Sequence, residues 1–522
     1  MQFIVSSQPE KPGFTRILQV NSCAVSRKSQ PMNSMTVRPT TYPLKRLVLV
    51  GIVLLATGSW WLAGCELLGE DVPAIAEPTG PVTYETHIQS LFDRKCVACH
   101  SGDAAAGLDL SSWDHVIQGS DRGEALIPFR PEKSVMIRLA ESYDRDPHPG
   151  GGSKLAKKEL DRLKNWIADG ARGPSGAVPF ASSANRLYVT HASAPEITII
   201  EASKAVIIAR LNLEDYGFTS RARARHVAVE PDGTFWYASI SSTRWNEREV
   251  VAKFNRSNEL VAMVPMSDPG QLLVHPTRDE LYVSAAPAID EERIFHRTPT
   301  DRREIIRLRR SDLFLSRLPV TYRDAYPLAI RPQGDAIFSS SMEVDQMVIL
   351  EPASADVTFT PVRGTKHLFR HLSISSDGNW MWGSGYWSNS ATLFDVSNPK
   401  DIVQRQSLWM GFDPRQIVWG PEDDLIYVAV RGANAVQVIN ADLGSVEYEI
   451  THPAMVEPVG LALSPNDSTL FVTAENTAAA WRGHHQFPED PAPGLILVID
   501  RETRQISKIL ESATGASDLS GR

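Results

Sequence analysis

The chain has 522 residues, 42% of them hydrophobic and 22% charged, a composition that supports a sizeable core and about two to four domains. A net charge of −9 argues against nucleic acid as a partner, and four cysteines in so long a chain rule out a disulfide scaffold.

The N-terminus reads as an address. Lys45 and Arg46 precede an apolar run from Leu47 to Leu55, and Leu62-Ala63-Gly64-Cys65 follows. A charged start, an apolar middle and small residues before a cleavage point are the parts of a secretory signal. The run is shorter than the roughly 20 apolar residues a spanning helix needs, so a leader is expected over a transmembrane anchor. The last four residues resemble a bacterial lipobox, which implies that residues 1–65 form a leader, that Cys65 is lipidated and that the protein is held on a membrane. The odd stretch 1–31 implies a true start at Met32 or Met35. Glu66 is not the aspartate of an inner-membrane retention signal, so the expected location is the bacterial cell envelope at the outer membrane, facing the periplasm or the surface. Residues 66–81 lack periodicity and read as a tether.

A small helical region is expected over 82–175. Tyr84, Ile88, Leu91 and Phe92 share a helical face just before Cys96-Val97-Ala98-Cys99-His100. Two thiols at this spacing with histidine next form the attachment pattern of c-type haem, in which the cysteines make thioethers and His100 becomes the proximal iron ligand. Zinc would need about two further soft ligands, and Cys23 and Cys65 are the only other cysteines. A thioredoxin-type disulfide would need a βαβ context, which is absent. The region closes on an amphipathic helix from Leu155 through Trp166 and Ile167, ended by Gly170. His87 and His115 read as structural or exposed.

The order of parts from 82 to 172 resembles the short cytochrome c domains at the head of many bacterial envelope proteins. In that family a Met-Pro-Pro element supplies the distal ligand. Here the corresponding loop reads Asp146-Pro147-His148-Pro149-Gly150 and holds no methionine. Three arrangements stay open: His148 as the distal ligand, Met136 from the preceding helix, or an open site.

From 180 to 522 short strands recur with a period. An apolar triplet and a turn begin at Val227, Leu272, Leu328, Leu372, Ile417 and Leu461, with steps of 45, 56, 44, 45 and 44 residues. About 40–45 residues is the period of a propeller blade. The strands near Leu187 and Ile197 make a seventh blade that lacks its innermost strand, and Ser517–Leu519 are expected to supply it and close the ring. Phrases such as Leu187-Tyr188-Val189-Thr190 resemble the YVTN-type seven-bladed propellers, a group related in fold to the haem-d domain of nitrite reductases and to the large subunit of methylamine dehydrogenase. The expected class is therefore multidomain, a small all-α cytochrome c domain followed by an all-β seven-bladed propeller.

Ahead of the innermost strands stand Arg225-His226, Arg370-His371 and Arg415-Gln416, which symmetry would gather around one rim of the channel. They read either as an anion- or cofactor-binding funnel for a small molecule or as side chains bonded to loop backbones between blades. Insertions at Ser241–Glu249, Ala285–Glu304 and Glu475–Gly494 share that face. They carry His296, Trp481, His484 and His485, and the last two histidines read as a solvated pair. The motifs favour a carrier that passes electrons from one haem c to redox partner proteins. A haem-dependent oxidoreductase with a second cofactor of unknown kind at the rim is the alternative, and a surface scaffold the third.

Overall fold

The computed structural model describes residues 82–521 apart from 103–104, 145–147, 149–153, 244–246, 286–303, 322–324, 342–343, 365, 423 and 483–489. The leader, the tether and the lipidation site Cys65 lie outside the described residues, as do His296, His484 and His485.

A π-helical turn, Tyr84–Gln89, runs into α1 (Ser90–Lys95), and α2 (Trp113–Val116), α3 (Val135–Ser142) and α4 (Lys157–Ala168) follow. Among the described residues this region has helices and one isolated bridge, Ser120 to Gly123, but no strand. Its core joins Tyr84, Ile88, Leu91 and Phe92 to Leu163, Trp166 and Ile167, so the apolar faces read from the sequence meet. Two indole N–H groups fasten the end of α4. Trp166 donates to the Arg172 carbonyl at 2.9 Å and Trp113 to that of Ala171 at 2.9 Å, which satisfies polar atoms that burial would otherwise penalise. The Glu159 carboxylate accepts from the Ala156 amide at 2.8 Å and caps the start of α4.

The rest is a seven-bladed β-propeller built of seven antiparallel four-stranded sheets. Blades 2 to 7 use consecutive strands, with inner strands Ala222–Val229, Leu272–Val274, Ala325–Ile330, Phe369–Ile374, Pro414–Trp419 and Pro458–Leu463. Blade 1 takes its inner strand, Ala516–Ser520, from the C-terminus and its other three from Arg186–His191, Glu196–Glu201 and Val206–Asn212. Leu519 pairs with Val189 and Ser520 with Tyr188, so the ring closes at the segment expected from the repeat count. Closure leaves no free inner edge on which another chain could add a strand.

Each seam between neighbouring blades holds its own apolar cluster. Tyr188 and Trp236 meet between blades 1 and 2, and Phe338 and Phe394 meet between blades 4 and 5. The turns between first and second strands explain the Pro-x-Gly pattern. Gly334 sits at φ +75°, where a Cβ would come within 2.6 Å of the His275 ring, so a side chain there is opposed both by the backbone and by the neighbour.

The sequence grammar changes near 175–180, yet the packing does not stop there, and Glu77–Arg522 form one compact unit. Ile127 of the helical region is 1% exposed and packs into the seam between blades 7 and 1, against residues that include Leu187, Val189, Leu510 and Leu519. Arg130 pairs with Asp215 and donates to the Arg210 carbonyl, and Arg138 pairs with Asp490 at 2.6 Å.

Candidate functional site: the Cys96–His100 turn and the channel mouth

Helical hydrogen bonding runs past the end of α1. The Cys96 amide donates to the Phe92 carbonyl at 2.8 Å and the His100 amide to that of Cys96 at 2.9 Å. Cys96, Cys99 and His100 thus stand at i, i+3 and i+4 on one turn, the spacing that brings helical side chains to one side. Both thiols are free; Cys96 is half-buried and Cys99 exposed. Burial pushes the Cys96 thiol up to about 11, with Glu159 acting in the same direction and Lys95 against it. The chain returns at once, and the Leu110 amide donates to the His100 carbonyl at 2.9 Å.

The His100 imidazole is the polar centre of this turn. Its Nδ1 is shut off from solvent with no hydrogen-bond partner. Burial lowers its proton affinity, the neighbouring His148 adds to that, and the Leu108 backbone opposes both. The structure brings His148 to it across the intervening loop, with ring centroids 5.7 Å apart and planes crossing at 88°. Met136, on α3, is half-buried and packs against the apolar cluster of the helical region alongside Cys96. His87 accepts from the Thr83 amide at 3.1 Å inside the helical core, and His115 stands exposed against Asp109 at 2.9 Å; neither joins the turn.

The rim residues sit differently from their expected place. His226, His371 and Gln416 lie within the inner strands, where the pairing register shifts, rather than ahead of them. The bulges turn these side chains into the channel. Gln271 and Asp518 hold the same register in blades 3 and 1, so one level of the channel is ringed by His226, Gln271, His371, Gln416 and Asp518. Three of these side chains fasten the next blade. His226 Nδ1 accepts from the Leu272 amide at 3.3 Å, Gln271 Oε1 from Leu328 at 2.6 Å, and Gln416 Oε1 from Leu461 at 2.8 Å.

His226 Nε2 lies 3.6 Å from Asp518 Oδ2. Burial holds His226 and His371 below the ordinary imidazole range, His371 down to about 4, with Asp518 opposing in both cases. Among the described residues no group of three or more His, Cys, Asp or Glu side chains is disposed to hold a metal ion. Below the ring the channel opens into a cavity of about 690 Å³ whose walls include Val227, Val274, Val418 and Leu463.

The three arginines divide. Arg225 donates Nε to the Ser241 hydroxyl at 2.7 Å, and Arg415 pairs with Asp413 at 2.7 Å. Arg370 lies over the Tyr386 ring, 4.6 Å from its centroid. Sequence reasoning missed Asp518 and Tyr386. The closing strand was legible, but its central residue belongs to no repeated phrase, and Tyr386 stands in a turn without a motif.

Comparison with known proteins adds the following. The family model described as Planctomycete cytochrome C matches residues 96–148, from the first cysteine of the motif to His148. No curated protein matches the chain. Among solved structures, the periplasmic gluconolactonase PpgL of Pseudomonas aeruginosa is 14% identical, with 64% of this chain and 98% of that one covered at a TM-score of 0.48. A putative 6-phosphogluconolactonase of Bacteroides fragilis is 12% identical, with 65% and 98% covered and a TM-score of 0.47. A functionally unknown protein of Desulfotomaculum acetoxidans is 16% identical, with 63% and 99% covered at 0.46. The chain is thus a seven-bladed propeller preceded by a stretch similar to the cytochrome c of Planctomycetes.

Proposed function

We propose that this chain is a c-type cytochrome that passes single electrons to and from partner proteins in the bacterial envelope, with the propeller as the platform on which partners or ligands dock. The observation that carries the reading is the Cys96–His100 turn with the His148 ring 5.7 Å from that of His100. Two imidazoles whose nitrogens each lie about 2 Å from one metal ion have ring centroids about 6 Å apart. The ring separation therefore fits one iron held by both imidazoles.

In this reading Cys96 and Cys99 hold the group covalently through thioethers. His100 and His148 would supply its iron ligands. Bound there, haem supplies a one-electron iron couple whose potential follows its axial ligands. Burial keeps His100 neutral and its nitrogen free to ligate. Cys99 and His148 are exposed, so a group held there would be within reach of a redox partner. A lipid on Cys65 would keep the domain at the outer membrane, and export would meet the need for attachment outside the cytoplasm.

The test is retention of haem through denaturation. Full-length protein matured in a host that attaches haem c is expected to carry a haem-stained band on a denaturing gel. A double Cys96→Ser, Cys99→Ser variant is expected to lose it while the folded propeller remains visible by circular dichroism. A wild-type band without haem would overturn the reading.

A further inference from the structure

Blade 5 breaks a rule that the other arginine-bearing blades keep. Arg225, Arg370 and Arg415 stand one residue before the ring positions His226, His371 and Gln416, at the same register of their inner strands. Two of the three have an acceptor: Ser241 for Arg225 and Asp413 for Arg415. Ser239 faces His226 and Ser384 faces His371 in the two pairings, so the place of Ser241 falls in blade 5 on Tyr386. Tyrosine there presents its ring face to Arg370 and no acceptor atom. Arg370 is half-buried, its Nε is shut off from solvent, and no carboxylate or hydrogen-bond acceptor among the described residues reaches it.

A half-buried guanidinium whose Nε is shut off from solvent and has no acceptor is an open hydrogen-bonding site, because buried polar groups are paired as a rule. At the same seam Arg415 Nε is a further donor without a partner, and the His371 ring stands beside it. The inner strands of blades 5 and 6 pack against each other, and the Arg415 guanidinium lies 5.9 Å from the same Tyr386 centroid. Two charges bear on the outcome. Asp413 compensates Arg415, and Asp518, 3.6 Å from His226 on the adjacent inner strand, acts on His226 and His371. The uncompensated cation is therefore Arg370. Its planar fork, resting on an aromatic face beside a second guanidinium, is the geometry that receives a carboxylate in two parallel hydrogen bonds.

We propose that the channel mouth between blades 5 and 6 binds a small organic carboxylate, held by Arg370 with Arg415 and His371 around it and Tyr386 as its floor. The site stands independently of the haem reading, because none of its residues belongs to the helical region.

Titration calorimetry of the full-length protein with succinate, at constant ionic strength, tests it. Saturable binding is expected. Arg370→Gln is expected to weaken it about tenfold or more, the loss that follows removal of one charged hydrogen-bond partner. Arg225→Gln, at the equivalent position with its own acceptor, is expected to leave it within about twofold. Thermal unfolding supplies a second readout. Arg370→Gln removes a cation that has no anionic partner, so the variant without ligand is expected to melt no lower than wild type, and succinate is expected to raise the midpoint of wild type only. Absence of saturation, equal weakening by the two substitutions, or tighter binding of inorganic phosphate than of succinate would overturn the proposal.

Discussion

At the scale of single residues, chemistry concentrates where a polar group is buried without a partner. Glu124 is an example away from the candidate sites. It belongs to the helical region, its Oε2 is shut off from solvent without a hydrogen bond, and Arg210, Lys508 and Glu511 of the propeller act on it. Burial pushes its carboxyl from 4.5 up to about 7, with Arg210 and Lys508 opposing and Glu511 adding to the rise. Between those two values the folded protein holds a proton that the unfolded chain has lost. This group's contribution to stability therefore declines as pH rises from about 4.5 to 7, by a few kcal/mol at most. Glu124→Gln is expected to flatten the decline and to be the more stable form above about pH 7. Urea midpoints of wild type and variant across that range measure it. Parallel curves would show that Glu124 ionises normally.

At the scale of elements, the closing strand Ala516–Ser520 carries more than its length suggests. Leu519 pairs with Val189 and packs, 1% exposed, into the seam between blades 7 and 1. Leu519→Ala is expected to cost about 2–5 kcal/mol, the range for a buried leucine replaced by a cavity. A surface change such as Leu443→Ala, at a residue 73% exposed, is expected to cost less than about 0.5 kcal/mol. Denaturant unfolding of the two variants makes the comparison.

The strands and the closure were legible in sequence because a blade repeats its apolar triplet and its turn residues, and because a six-fold repeat with one incomplete unit asks for a donated strand. The Cys96–His100 turn was legible for another reason, since its spacing encodes a covalent requirement. The fate of the rim was not. Whether His226 serves a ligand or a neighbouring amide depends on the bulge that points it at Leu272, and a bulge leaves no mark in composition. Arg370 differs from Arg225 through Tyr386, sixteen positions away in the turn that follows the next strand.

At the scale of the whole molecule, the change in sequence grammar near 175–180 does not mark a break in packing. Ile127 is buried in a propeller seam, and Arg130 and Arg138 reach propeller carboxylates on either side of it. The helical region is therefore expected to unfold together with the ring in one calorimetric transition. Ile127→Asp places an unpaired charge in that seam, which burial penalises heavily, and is expected to split the transition in two. A single transition in the variant at the wild-type temperature would show that the contact contributes little. A rigid junction would also give the Cys96–His100 turn a fixed attitude to any partner that the propeller holds.

The most direct test of the central claim is the visible and electron paramagnetic resonance spectrum of the oxidised, haem-loaded full-length protein beside its His148→Ala and Met136→Ala variants. A low-spin signal typical of two imidazole ligands is expected for wild type, unchanged in Met136→Ala and converted to high spin in His148→Ala. A wild-type spectrum that survives loss of His148 but changes with loss of Met136 would contradict the account.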